Sequence, residues 1–219
     1  MLLWLLTRYF NKVPCRSLPT PAHQDNFYFK LDPVRVHAVS RAPLICVYEE
    51  RLIVRNAAST QPNALTIWMA LDPIDIGNGL LHYVPGSHLE GVRPHVSSHV
   101  LGFSQSLKDW DGTSEQQREV PAALSLSPGD VIVHHCNAIH RAEPNNSSEP
   151  SRPRRAIAAV YHGASAVQDK EALREYIEDH DRQVAARGGG KEVMLAARMR
   201  ERGTEREGQG TATRNKPKL

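Results

Sequence analysis

The sequence predicts an all-β sandwich or barrel followed by a single helix, and three observations carry that expectation. Short apolar runs rich in branched and aromatic residues recur along most of the chain. Gly, Pro and Asn turns bound those runs. Helical spacing of apolar residues, by contrast, becomes evident only near residue 170.

Taken in order, "MLLWLLTRYFNK" (1–12) reads as a strand. No basic region precedes its apolar run, no small-residue cleavage site follows closely, and it is too short to span a bilayer. "ALTIWMAL" (Ala64–Leu71) ends at Asp72-Pro73, and "LLHYV" (Leu80–Val84) lies between "GNG" and Pro85-Gly86. "DVIVHHC" (Asp130–Cys136) is launched by Pro128-Gly129, and "RAIAAVYHG" (Arg155–Gly163) closes the series. In Asp169–Arg187 the residues Leu173, Tyr176, Ile177 and Val184 recur at helical spacing, with acids toward the start. Beyond Gly188 the composition turns to Arg, Glu, Gly and Thr. A short helical stretch near Met194–Met199 is compatible with that, but residues 188–219 are expected to be largely a disordered basic tail.

A chain of 219 residues suffices for one domain with a sizeable core. At 40% hydrophobic and 23% charged residues it has the balance of a soluble globular protein. The net charge of +3 is too small to argue for nucleic acid, and no aromatic platform or reading motif accompanies the basic tail. No membrane partner is expected either. Cys15, Cys46 and Cys136 are scattered and odd in number, which fits free thiols in a reducing compartment, the cytoplasm being the first choice.

Chemistry enters with "PAHQDNFYFKLDP" (Pro21–Pro33). His23 and Asp25 are one residue apart, so on a strand edge both side chains would point to the same side. Non-haem Fe(II) sites that activate O2 use two histidines and one carboxylate on a single face, leaving the opposite positions open. His140, just past "GDVIVHHC", is the natural second histidine. His135 is read as a packed or supporting histidine, His88 as fastening its turn, and His82, His95 and His99 as surface residues over the barrel mouth. "RPRRAIAAVY" then offers Arg154 and Arg155, of which strand alternation sends one inward. A guanidinium fork there suits a dicarboxylate such as 2-oxoglutarate.

Together, "HQDNFYF", "WMALDPIDIGNGLLHYVPGSH" and "SPGDVIVHHCNAIHRAEPN…RPRRA" resemble the phytanoyl-CoA dioxygenase family of Fe(II)/2-oxoglutarate oxygenases, from about Phe10 to Gly163. The resemblance implies a double-stranded β-helix, a jelly-roll, cupin-like barrel, here followed by a C-terminal helix. It assigns His23, Asp25 and His140 to iron and Arg154 to the distal carboxylate of 2-oxoglutarate, with Trp68 and Phe29 beside the cosubstrate. The implied reaction hydroxylates a small organic molecule or acyl derivative with O2, giving succinate and CO2, with ascorbate in a supporting role. Halogenating relatives replace the carboxylate ligand with a small residue, so Asp25 favours hydroxylation.

Two departures stand out. Related sequences pass almost directly from the HxD strand to the "TIW" strand, whereas Val34–Gln61 intervenes here, as an insertion or a retained intron, within a barrel domain spanning 1–187. Relatives also carry helices before the first barrel strand, where this chain begins at the strand. A compromised barrel acting as a non-catalytic, cupin-like binding protein is therefore the competing expectation. The sequence specifies no oligomeric state.

Overall fold

The computed structural model describes residues 2–32, 45–48, 64–100, 103–110, 118–149, 151–164 and 166–186. In chain order the first strands are β1 (Leu2–Lys12), β2 (Thr20–His23), β3 (Leu31–Asp32), β4 (Ile45–Tyr48), β5 (Ala64–Ala70), β6 (Ile74–Asp75) and β7 (Leu81–Tyr83). They continue with β8 (His95–Val100), β9 (Phe103–Leu107), β10 (Val120–Pro121), β11 (Ser125–Leu126), β12 (Val131–His135), β13 (His140–Ala142), β14 (Arg154–Gly163) and β15 (Val167–Gln168). The helices are α1 (Asn26–Phe29) and α2 (Lys170–Ala186). The molecule is thus mainly β with a C-terminal helix, as the turn-bounded apolar runs predict.

Two antiparallel sheets build the jelly roll. The larger runs β1-β14-β5-β12-β4 and the smaller β10-β7-β13-β2, so neighbours in space are remote in sequence. Strands β6 and β11, β3 and β15, and β8 and β9 pair off separately. Alternation decides what lies between the sheets: Ala64, Thr66, Trp68 and Ala70 of β5 are buried while the residues between them are half-exposed. Trp68 packs with Ile132, Leu81, Tyr83 and Ala158 in the main apolar cluster, which draws on both sheets. A second cluster gathers Phe29, Leu31, Ala64, Cys136 and Val160, and a third Ala22, Val84, Leu107 and Ile139. Side chains of this kind stabilise by about 1.5–3 kcal/mol each when fully buried.

The chain divides into two compact units, Met1–Lys170 and Glu171–Leu219, and the first contains every strand among the described residues. Of the segment 34–61 only Ile45–Tyr48 is described, as β4, paired antiparallel with β12 along the edge of the larger sheet. The rest of that segment, the tail 188–219 and the expected helical stretch near Met194 lie outside the described residues. Among the described residues no helix is long and apolar enough to cross a membrane. Cys15 and Cys136 are both free thiols.

Candidate active site

Strand register brings the polar interior together. On the larger sheet His134 pairs with Thr66 and Ile132 with Trp68, while Thr66 and Trp68 pair on their other side with Val160 and Ala158. On the smaller sheet His140 stands between His23 of β2 and Tyr83 of β7. The Tyr83 hydroxyl and His134 Nδ1, 2.9 Å apart, join the two sheets across the core.

His23, Asp25 and His140 converge so that one ligand atom from each lies within 4.8 Å of the others, a group that could hold a metal ion. His23 Nε2 is 3.6 Å and His140 Nε2 3.8 Å from Asp25 Oδ1. Asp25 reaches this point differently from the strand-edge expectation. β2 stops at His23, and Asp25 has α-helical dihedrals at the N-cap of α1, so a turn and not strand alternation aims its carboxylate. Backbone bonds from Phe27 N to Gln24 O and from Tyr28 N to Asp25 O hold the turn.

The hydrogen bonds fix which atoms face inward. His23 Nδ1 lies 2.8 Å from Pro21 O, and His140 Nδ1 lies 3.0 Å from Ala138 O. A carbonyl only accepts, so Nδ1 carries the proton in both rings and a neutral ring's Nε2 presents a lone pair. Burial, before any neighbouring charge, pulls His140 down to about 3, which keeps that ring neutral at ordinary pH. Burial alone would push the Asp25 carboxyl up. The proximity of His140 and the hydrogen bond from His134 outweigh it and hold Asp25 well below the usual carboxylate range. Two lone pairs and an anion thus share one small buried volume. That donor set fits a divalent cation, and the carbonyls behind the rings supply the orienting bonds such sites use.

A second electrostatic feature lies at the start of β14. Arg154 is 3% exposed, its Nε donates to Gly79 O at 3.0 Å, and its guanidinium carbon sits 5.2 Å from the centre of the Trp68 ring. Lys12, its register partner on β1, is also buried and donates through Nζ to Leu18 O at 2.6 Å. Burial, then the charge of Arg154, pulls Lys12 down to about 7. Burial likewise brings Arg154 down to about 10. Neither side chain has an ion-pair partner within 4.0 Å among the described residues, although the Glu143 carboxylate acts on Lys12 from farther off; a buried lysine thus stands beside a buried arginine. Arg155 instead turns outward and grips Asp72 through Nε and Nη2, at 2.9 and 2.6 Å.

Other singled-out residues fall elsewhere. Phe29 packs in the second apolar cluster with Cys136 and Val160, not in the cluster that contains Trp68. His135 is buried beside His88, and its Nδ1 accepts from Asn137 N. Ser87, not His88, fastens the turn: its Oγ donates to Val84 O and accepts from Ile139 N. His95 corrects the surface expectation. It is half-buried, stacks on Phe27 with ring centres 4.0 Å apart, and accepts Gln24 N on Nε2. His82 is half-buried, 3.9 Å from Glu119, and the side chain of His99 lies outside the described residues.

Two residues of the site escape the sequence reading. Lys12 was legible only as a strand residue, and His134 was overshadowed by its neighbour His135. The available signal was period-2 alternation from the apolar Ile132, which puts His134 on the inner face.

Comparison with known proteins agrees with this architecture. A family model described as phytanoyl-CoA dioxygenase (PhyH) matches residues 2–156. The chain is 24% identical over 170 residues to a 1-deoxypentalenic acid 11-beta-hydroxylase of Streptomyces arenae, covering 76% of this chain and 50% of that protein. It is 29% identical over 101 residues to the dioxygenase lolE1 of Epichloe uncinata, covering 46% and 34%. Among solved structures, EvdO2 of Micromonospora carbonacea var. aurantiaca, in complex with 2-oxoglutarate, matches with a TM-score of 0.51 at 25% identity, covering 77% of this chain and 54% of that one. The chain spans half or less of the length of these two curated relatives.

Proposed function

Because the chain belongs to the phytanoyl-CoA dioxygenase family, we propose that it is an Fe(II)/2-oxoglutarate-dependent oxygenase that hydroxylates a small organic molecule or acyl derivative. The observation that carries this reading is the convergence of His23 Nε2, His140 Nε2 and Asp25 Oδ1, with both histidine Nδ1 protons committed to backbone carbonyls. Iron with bound 2-oxoglutarate supplies oxidation of a substrate C–H bond by O2, the cosubstrate leaving as succinate and CO2.

The protein's own contribution is placement. His23, Asp25 and His140 would hold the metal through Nε2, a carboxylate oxygen and Nε2, three protein ligands of the kind that leaves positions free for cosubstrate and O2. Arg154 takes the far carboxylate of 2-oxoglutarate through its guanidinium, and Lys12 adds a second positive charge. Trp68, in contact with Arg154, limits the orientations the guanidinium can adopt and keeps water from it. Phe29 acts at most through packing, since it belongs to a separate cluster. Ascorbate is assigned a supporting role as reductant, and a reducing compartment such as the cytoplasm suits both the free thiols and ferrous iron.

The test is an anaerobic titration of the purified chain with Fe(II) and 2-oxoglutarate, read by the weak visible charge-transfer band of the chelated cosubstrate. We expect a band in the parent and its loss in Asp25→Ala. No band from a folded parent would favour a non-catalytic binding protein with the same sheets.

A further inference from the structure

The two oxygens of Asp25 have different surroundings. Oδ1 faces His23 and His140. Oδ2 accepts from Thr66 Oγ1 at 2.6 Å and lies 3.2 Å from His134 Nε2. Because an ionised carboxylate only accepts, His134 Nε2 is the donor. In the tautomer that carries its proton on Nε2, the ring accepts the Tyr83 hydroxyl hydrogen bond on Nδ1. The chain Tyr83–His134–Asp25 is closed from water at its inner members, with Tyr83 fully buried and His134 1% exposed. Tyr83 also lies against the His140 ring, with ring centres 5.6 Å apart and planes inclined by 22°.

We propose that His134, held in one tautomer by Tyr83, acts with Thr66 as a positioning group that engages Asp25 Oδ2 and so presents Oδ1 alone to the metal. The inference rests on the metal-site reading above and extends it to residues outside the ligand triad. Its physical basis is competition. A carboxylate with two uncommitted oxygens can chelate through both and thereby occupy a coordination position that cosubstrate or O2 requires. Two donors on Oδ2 make that second contact costly, because it would break charge-assisted hydrogen bonds inside a water-excluded core. Tyr83 matters because without its hydroxyl His134 can take the other tautomer, placing a lone pair against Oδ2.

The arrangement follows from register. Thr66 and His134 are cross-strand partners on the inner face of the larger sheet, whereas Tyr83 and His140 are partners on the smaller one. The donors to Oδ2 therefore come from one wall and the His23 and His140 ligands from the other.

The experiment uses the full chain without 2-oxoglutarate, titrated anaerobically with Co(II) as the probe. Affinity is read by competition with a chelator, and coordination number by the intensity of the visible d–d bands. The variants are Tyr83→Phe, His134→Leu and His134→Gln. Partners behind metal ligands typically change metal affinity about 10–100-fold. We expect about tenfold weaker cobalt binding in Tyr83→Phe and a larger loss in His134→Leu, both with weaker d–d bands as a second carboxylate contact raises the coordination number. We expect His134→Gln, which keeps an N–H donor, to recover much of the affinity and the parent spectrum.

Parent-like affinity and spectrum in folded Tyr83→Phe would overturn the proposal, as would a His134→Gln no better than His134→Leu. Should His134→Leu fail to fold, Tyr83→Phe decides alone, since it removes only a hydroxyl. A folded parent that takes up no cobalt defeats the underlying metal reading, and the inference with it.

Discussion

Arg154 and Arg155 are consecutive residues of β14 with opposite surroundings. Arg155 faces outward, with its side chain 48% exposed, and is matched by Asp72 in a two-pronged ion pair. Arg154 faces inward, is almost fully buried, and has one carbonyl for a hydrogen-bond partner and a buried lysine, Lys12, nearby. Desolvating a charge without pairing it costs several kcal/mol. The outer arginine is therefore explained by the fold alone. The inner one has no such partner within the chain, and this is the ground for proposing that it meets an anion from outside.

The sharpest way to break this contrast is Arg154→Met. It should weaken 2-oxoglutarate binding to the Fe(II)-loaded protein by about 100-fold or more, because a paired charged hydrogen bond in a closed site is lost. The unliganded variant should be at least as thermostable as the parent, since a buried uncompensated cation has been removed. Unchanged cosubstrate affinity by calorimetry would dissolve the contrast.

A smaller effect is expected at Lys12. Lys12→Met should weaken the cosubstrate about tenfold, in line with losing one of two charges. It should also change the pH dependence of stability. Burial and Arg154 hold Lys12 at about 7 against an ordinary 10.5, so between those values the unfolded chain binds a proton that the native protein does not. Stability of the ligand-free parent should therefore rise with pH across that window, and denaturant titrations of Lys12→Met should show a flatter profile.

The smallest effect belongs to the outer face. Arg155→Ala should lower the unfolding midpoint by at most a few degrees and leave cosubstrate affinity at the parent value, because exposed ion pairs contribute little. A large loss of cosubstrate binding in this variant would mean that the two faces of β14 are coupled.

What the sequence discloses depends on how local the causes are. β5, β12 and β14 were legible because alternation and flanking Gly-Pro turns are local signals. His23, Asp25 and His140 could be singled out from motif and spacing, and they do come together. The aim of Asp25 could not be read, since a four-residue helix leaves no periodic pattern and its turn is set by bonds to the chain's own carbonyls. His134 was missed for a different reason. A histidine doublet places one ring on each face of a strand, and only cross-strand pairing with Thr66 shows which one meets the carboxylate. The position of Lys12 beside Arg154 likewise depends on pairing between residues 142 positions apart.

Gly79 gives the cation pocket one more property. Its φ is +108°, and a Cβ placed there would come 2.9 Å from Lys12 Cδ and 3.0 Å from the Glu143 carbonyl. The same residue's carbonyl receives Arg154 Nε. A single missing methyl thus lets two like charges share a roof, and any side chain would have to move one of them out. In a mutational survey this position should therefore behave as if it were a binding residue, intolerant of substitution, although it has no side chain with which to bind anything.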